Sequence, residues 1–194
     1  MVTPDQVLTF WLDEVGPKGW YQGGDDLDAS IRDKFADAWD EARNGAYGLW
    51  LTSPKECLAY VILTDQFPRN MFRGKGLAFA ADRSSRAAAK LAVDRGWDMS
   101  VPEPERQFFY MPLMHSENLV DQDRCVRLMS SRMTQDEGSG VRHACAHRHI
   151  IRTFGRFPYR NAALERASTT AETTWMDTEG YAGALRAVDA KAAR

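Results

Sequence analysis

Apolar side chains recur every three or four residues along this chain, and this spacing constrains the fold more than any other feature of the sequence. Ile31, Phe35 and Trp39 follow it in one segment, and Leu58 and Val61 follow it in another. Residues at this spacing share one face of an α-helix, so each segment has a single stripe to bury. We find no stretch that alternates apolar and polar residues in the manner of a half-buried strand. The sequence therefore predicts an all-α fold built from antiparallel helix pairs.

Capping residues and prolines mark the predicted helix boundaries. Thr3-Pro4 and Ser53-Pro54 each combine an N-cap hydroxyl with a proline at the first helical position. The helix that begins after Ser53 is predicted to end near Gln66, because Pro68 disfavours helical geometry at Phe67. A helix is also predicted from Val141 to Phe154, after a polar, glycine-rich loop over Gln135–Gly140.

Length and composition fit one compact domain. The chain has 194 residues, and 44% of them are hydrophobic. A chain of this size buries enough surface to fold without a metal ion or a disulfide. We predict one helical domain over residues 1–177 and a helical or partly ordered C-terminal tail over 178–194.

Charge and cysteine content limit the partners and the compartment. Lys and Arg total 25 and Asp and Glu total 27, which gives a formal net charge of −2 and argues against a general nucleic-acid binder. Cys57, Cys125 and Cys145 are widely separated and odd in number, which favours a reducing compartment. The N-terminal segment has no basic stretch followed by an apolar run, and no apolar stretch approaches the length of a bilayer span. We predict a cytoplasmic protein that binds neither membranes nor nucleic acid.

Two segments of the chain resemble each other. Thr64–Asn70 and Phe154–Asn161 both follow an apolar helix, contain Phe-Pro and then continue to Arg-Asn, and their phenylalanines Phe67 and Phe157 are 90 residues apart. In both segments Phe-Pro is expected to end the helix. The similarity indicates either two duplicated halves or one way of ending a helix that arose twice.

The arginine and asparagine side chains of these segments are candidates for anion binding. Guanidinium groups bind phosphate and carboxylate groups with two parallel hydrogen bonds, and an asparagine amide can add a donor. The alternative is structural: each arginine would bind the free carbonyl groups at its own helix end, and each asparagine would cap the next helix.

Histidines supply a second group of candidates. His115 and Glu117 lie two residues apart at a predicted helix junction, where they could perform acid–base chemistry, or where the junction could simply be capped. His143 and His147 share a helix face, as a metal site requires, but Cys145 points elsewhere and the glutamate of a zinc-peptidase motif is missing. The predicted site therefore includes no metal ligand and no cofactor.

Three motifs, taken in order, resemble those of a bacterial family known as domain of unknown function 924. They are Asp65–Asn70, Phe109–Glu117 and the segment from His147-Arg148 to Asn161, and the resemblance extends from about Val7 to Met176. Tyr159 stands where the family usually has histidine. The resemblance implies a superhelical array of helix pairs, similar to tetratricopeptide-repeat proteins, and it implies no particular activity.

The predicted function is the binding of a small anionic molecule, or of the acidic end of a peptide, in a concave pocket lined by arginine and asparagine. The predicted ligand-binding residues are Asp65, Gln66, Arg69, Asn70, Arg148, Arg156, Arg160 and Asn161. One alternative is a hydrolase or lyase in which His115 or His147 is the general base and Glu117 orients it. Another is a scaffold for protein partners, in which the motif side chains only hold the helices together. The sequence predicts no oligomeric state.

Overall fold

A computed structural model of the chain describes residues 1–135 and 138–192. Two residues of the predicted loop over Gln135–Gly140, and the last two residues of the predicted tail, lie outside the described residues. Helices and the loops that join them make up the described part, which contains no strand. The prediction of an all-α protein is confirmed. None of the helices in the described ranges is long and apolar enough to cross a membrane.

The chain divides into two compact units, Met1–Pro112 and Leu113–Arg194. The first unit contains α1 (Pro4–Leu8), α2 (Gly16–Gly19), α3 (Asp25–Arg43), α4 (Pro54–Val61), α5 (Phe67–Met71) and α6 (Asp82–Asp94). The boundary falls within α7 (Met111–Met114). The second unit contains α8 (Leu119–Arg132), α9 (Ser139–Phe154), α10 (Thr170–Thr178) and α11 (Gly180–Ala192). Short 3₁₀ and π-helical segments lie between several of these helices.

The predicted helix starts in the first unit are confirmed. The Thr3 side chain accepts a hydrogen bond from the backbone N–H of Gln6, whose side chain accepts one in return from the Thr3 N–H. Ser53 caps α4 by accepting from the N–H of Glu56. These hydroxyls satisfy backbone donors that have no partner within the first turn of a helix.

The prediction that Phe67-Pro68 ends a helix is wrong. Phe67 has helical angles, φ −60° and ψ −44°, and the chain continues into α5. Between α4 and α5 lies a π-helical segment, Ile62–Gln66, and the Phe67 N–H bonds back five residues to the Ile62 carbonyl. Proline clashes with the carbonyl four residues earlier in an α-helix. The wider π turn changes the spacing of the carbonyls before Pro68. The helix therefore continues past Pro68 into α5.

The second Phe-Pro segment behaves as predicted. Helix α9 ends at Phe154, and Gly155 follows with φ +71°, a left-handed conformation that favours glycine. Phe157, before Pro158, has extended angles of φ −91° and ψ 106°. The two similar sequences thus differ in backbone structure. A π turn precedes the first Phe-Pro, whereas Gly155 ends the helix before the second.

Aromatic rings form much of the core of the first unit. The Phe35 ring lies 4.7 Å from the Phe67 ring and 5.2 Å from the Phe10 ring, measured between centroids. Trp11 contacts Phe67 from another side at 5.6 Å. Trp20 is also buried and donates from Nε1 to the Trp11 carbonyl at 2.7 Å. This cluster joins the first helices to α5 and fixes the segment that carries the first Arg-Asn pair.

The core of the second unit lies between α9, α11 and the segment after α9. Its buried members are Ala146, Ile150, Ile151, Phe157 and Ala184, and the partly buried Phe154, Trp175, Tyr181, Leu185 and Val188 pack against them. Four of these residues, Tyr181, Ala184, Leu185 and Val188, belong to the predicted tail, which in the structure is helix α11. The division into a 1–177 domain and a tail stays a prediction.

Candidate functional site

In the first unit, the predicted binding residues hydrogen-bond to one another. The Gln66 amide donates to a carboxylate oxygen of Asp65 at 2.6 Å. Arg69 donates to the Asp65 carbonyl at 2.6 Å and pairs with the carboxylates of Asp65 and Asp82. The Asn70 amide donates to the Gln66 carbonyl at 3.1 Å. These contacts satisfy the backbone carbonyls of Asp65 and Gln66, which precede Pro68. They fit the structural alternative considered for these residues.

In the second unit, Glu117 is the centre of a hydrogen-bonded network. Arg166 binds its carboxylate with two hydrogen bonds of 2.7 and 3.0 Å, and the Phe157 backbone N–H donates to it at 2.9 Å. Burial raises the pKa of Glu117, but the hydrogen bonds from Arg166 and Phe157 outweigh this and hold it below its usual value. Glu117 was expected to orient a histidine; in the structure its carboxylate fixes the segment after α9 instead.

Asn161 and Arg156 belong to the same network. The Asn161 side chain accepts from Arg166 Nε at 3.0 Å and donates to Ser168 at 3.0 Å. Arg156 binds the buried Glu172 with two hydrogen bonds of 2.6 and 2.8 Å. These bonds, together with the hydrogen bond that Glu172 accepts from the Thr169 N–H in the capping box of α10, hold the pKa of Glu172 at about 2. The network ties α10 to the second Arg-Asn segment.

The ring of His147 is held in one orientation and one tautomer. Its Nδ1 lies 2.9 Å from the His143 backbone carbonyl, which can only accept, so we assign the ring hydrogen to Nδ1. The Tyr181 hydroxyl lies 3.2 Å from the same nitrogen and 2.8 Å from Nδ1 of His143, to which it can donate. Neutral His147 therefore presents Nε2 as a hydrogen-bond acceptor.

His115 and Arg160 complete the surroundings of His147. The rings of His115 and His147 have centroids 6.3 Å apart. The guanidinium of Arg160, a buried residue, lies 4.4 Å from the centroid of the Phe157 ring, which in turn packs edge-on against His147 at 5.5 Å. Burial lowers the pKa of His147 to about 3, and the charges of His115 and Arg160 act in the same direction. His147 is thus neutral at physiological pH.

Arg148 lies on another side of α9, apart from these residues. Its guanidinium pairs with Asp123 on α8 at 3.3 Å, and Arg152 pairs with the same carboxylate at 3.0 Å. Successive residues of an α-helix are rotated by about 100°, so the side chain that follows His147 points elsewhere. The expectation that Arg148 shares a site with His147 has no support in its contacts.

The histidines of α9 have protein partners rather than a shared metal geometry. Nδ1 of both His143 and His147 lies at the Tyr181 hydroxyl. Over residues 1–135 and 138–192, no group of three or more His, Cys, Asp or Glu side chains is arranged to hold a metal ion.

Sequence comparison places the chain in a family. A profile described as "Bacterial protein of unknown function (DUF924)" matches residues 7–180. The chain belongs to the DUF924 family. The resemblance seen in the three motifs is confirmed. None of the curated proteins matches this DUF924 chain.

A solved structure is similar to this DUF924 protein. It is that of a protein of unknown function from Agrobacterium tumefaciens, with 36% sequence identity and a TM-score of 0.84. The match covers 90% of this chain and 96% of the other. The similarity extends to the fold and supplies no activity.

Sequence reasoning missed three residues that shape the second-unit site. Arg166, Glu172 and Tyr181 contact residues that are 49, 16 and 38 positions away in the chain. A local signal did exist for Glu172, because Thr169 and Glu172 have the spacing of a capping box. Arg166 and Tyr181 carry no such signal, since only the packing of the unit brings them to Glu117 and His143.

Proposed function

We propose that this protein binds a small organic anion in its second unit, with the Arg160 guanidinium facing the anionic group and His115 and His147 hydrogen-bonding the rest of the ligand. The observation that supports the proposal most directly is the proximity of His115 and Arg160 to a neutral His147. The ligand belongs to the carboxylates or phosphate esters, either as a free molecule or as the carboxylate end of a peptide. A hydroxyl or protonated acid on the ligand would donate to Nε2 of His147.

The charge of the surrounding network supports an anion. Three arginines, Arg156, Arg160 and Arg166, accompany two carboxylates, Glu117 and Glu172. Arg166 and Arg156 each hold one carboxylate with two hydrogen bonds. Among these five side chains one positive charge is in excess. A partly desolvated guanidinium attracts an anion more strongly than one in water does, because screening is weaker.

The pKa of His147 favours binding over catalysis. A general base is most effective when its pKa lies near the working pH. With a pKa of about 3, His147 is unprotonated at neutral pH but takes a proton only weakly. Its fixed tautomer suits the recognition of a ligand donor better than proton abstraction.

Several finer expectations stay proposals. We keep the tetratricopeptide-like array of helix pairs and a cytoplasmic location as proposals. Three cysteines that form no disulfide support the cytoplasmic location. The first-unit residues Asp65, Gln66, Arg69 and Asn70 are not part of the proposed site, because they hydrogen-bond within their own segment. A scaffold function would be favoured if no anion binds.

Binding is tested by following backbone amide resonances of the whole chain while small carboxylates and phosphate esters are added. The proposal expects saturable shifts around His147 and Phe157 for one class of anion. Arg160→Gln should weaken this binding at least tenfold, since it removes a charge-assisted contact. Arg160→Lys, which retains the charge but loses the planar fork, should weaken it less.

Arg83→Gln is the matched control, because Arg83 is an exposed arginine of the first unit and its loss removes the same charge. Each variant is first checked for a cooperative melt. The proposal is overturned if the anion shifts the resonances of Arg160→Gln as strongly as those of Arg83→Gln and the unaltered protein. An absence of any response to both classes of anion would do the same.

A hydrolase or lyase is the second candidate, and the observation that favours it is the proximity of the His115 and His147 rings, whose centroids are 6.3 Å apart. Activated carboxylate and phosphate esters are the substrates to try. The candidate requires turnover that is lost in His147→Gln and retained in Arg83→Gln. Turnover that persists in His147→Gln would exclude His147 as the base.

A further inference from the structure

A separate groove lies in the second unit between α9 and the end of α11. Helix α9 contributes Cys145, Arg148, His149 and Arg152, and α11 contributes Ala187, Val188, Lys191 and Ala192. The α9 residues are rotated by roughly 100–200° from His147 about the helix axis. The groove is therefore distinct from the site proposed above.

Positive charge dominates the rim of this groove. Arg148, Arg152 and Lys191 are permanent cations at neutral pH. Asp123 is shared by the two arginines, at 3.3 and 3.0 Å. One carboxylate held between two guanidiniums neutralises only one of them.

His149 lies in the same groove, close enough to Lys191 for the two to interact electrostatically. Burial lowers its pKa, and the charge of Lys191 lowers it further, while the carboxylate of Glu179 acts in the opposite direction. The net direction is downward. Three cations thus outweigh the two carboxylates that act on the groove, Asp123 and Glu179.

The α11 side of the groove is lined mainly by small apolar side chains. Ala187, Val188 and Ala192 line the α11 side, and the cavity has a volume of about 250 Å³. At about 30 Å³ per water molecule, this space holds the equivalent of roughly eight waters. It is smaller than the ~300–1,000 Å³ of pockets for drug-sized ligands. It suits a charged head group with a short apolar tail.

We propose that this groove binds a small phosphate monoester. The two guanidiniums of Arg148 and Arg152, one helical turn apart, and the ammonium of Lys191 would surround the phosphate oxygens. The apolar α11 wall would contact the organic group. Arginine and lysine are the side chains that bind phosphate best, and the positive charge that remains after the two carboxylates are counted attracts a group with close to two negative charges.

Phenyl phosphate is the probe, titrated into the whole protein at low salt and followed by amide resonances and by calorimetry. The expected result is saturable binding in the millimolar range or tighter, with shifts confined to the facing residues of α9 and α11. Lys191→Gln and Arg152→Gln should each weaken it about tenfold. Raising the salt concentration should weaken it as well, because the groove is open to solvent.

Arg186→Gln is the matched control, since Arg186 is an exposed arginine of α11 outside the groove. It should bind phenyl phosphate as the unaltered protein does. Phenol and benzoate are companion probes, and the proposal expects phenol not to bind and benzoate to bind more weakly. Arg160→Gln should leave the groove shifts intact, which separates this site from the proposed anion site.

Three outcomes would overturn the proposal. Phenyl phosphate could leave the α9 and α11 resonances unmoved at millimolar concentrations. Lys191→Gln and Arg152→Gln could affect binding no more than Arg186→Gln does. Phenol could bind as well as phenyl phosphate, which would mean that the groove recognises the ring and not the phosphate.

Discussion

Replacing Glu117 by glutamine should destabilise the second unit, and the structure sets the size of the effect. Glu117 accepts two hydrogen bonds from Arg166 and one from the Phe157 N–H. Glutamine keeps the shape and one acceptor oxygen, but it loses the negative charge. The Arg166 guanidinium is then left without its counter-charge.

The magnitude lies between two known limits. A surface ion pair contributes about 0–1 kcal/mol, and breaking a fully buried pair costs about 3–5 kcal/mol. The side chains of Glu117 and Arg166 are 27% and 24% exposed, so the pair is intermediate. We expect a loss of about 2 kcal/mol in the free energy of unfolding, consistent with hydrogen bonds to charged groups. For a chain of this length that lowers Tm by about 4–8 °C.

Urea denaturation of four proteins measures this effect: the unaltered chain, Glu117→Gln, Arg166→Gln and the double variant. The double-mutant cycle should give a coupling energy of about 1–2 kcal/mol. Glu14→Gln is the control, because Glu14 and Lys34 are half exposed and 3.9 Å apart, and it should change stability by less than about 0.5 kcal/mol. The reasoning is refuted if Glu117→Gln is as mild as Glu14→Gln, or if the two network variants are additive.

Three further predictions concern pH and backbone conformation. Because the folded pKa of His147 is about 3, the unfolded chain takes up this proton first. His147 should therefore lower the free energy of unfolding by about 1.4 kcal/mol for each unit that the pH falls below about 6.5. The urea midpoint of His147→Gln should decline less steeply with falling pH than that of the unaltered protein. Glu172 has a folded pKa of about 2, so its contribution is complete above pH 4.5 or so and is lost toward pH 2; acid unfolding of Glu172→Gln should lack that component. Gly155→Ala should lower the free energy of unfolding, measured in urea, by about 1 kcal/mol because Gly155 has φ +71°. Gly48→Ala is the control, because Gly48 is equally open but has no positive φ in the left-handed region. Equal effects would contradict this account.

Local rules predicted the helices well where the decisive residues are neighbours in the chain. Ser53 and Pro54 mark the start of α4 within one turn, and the structure has the helix there. The prediction at Phe67-Pro68 failed because the rule that proline disfavours helical angles in the preceding residue holds for an α-helix. Here the helix has already changed from α to π geometry. Nothing in the residue types of Ile62–Gln66 indicates that change, which depends on how the segment packs.

In the candidate site, too, contacts between near neighbours in the chain could be predicted, and contacts between distant segments could not. The spacing of His143 and His147 correctly predicts a shared helix face, and both rings meet the Tyr181 hydroxyl. Spacing does not say which element covers that face, so Tyr181 could not be found. Glu117 was linked to His115 because they are close in sequence, but its partner Arg166 is 49 residues away. Ion pairs between distant segments follow from tertiary packing, which sequence patterns do not contain.

The π segment at Ile62–Gln66 also limits which insertions and deletions this region can accept. Such a turn holds one residue more than the α-helical path it replaces. Deleting one residue from it would return the chain to α geometry, set the ring of Pro68 against the carbonyl four residues before it, and rotate α5 by about 100°. Phe67 would leave the aromatic cluster, and Arg69 would lose Asp82. The length of this segment is thus constrained more firmly than its residue types. Homologous chains should keep the spacing between Ser53 and Pro68 even where the residues between them change.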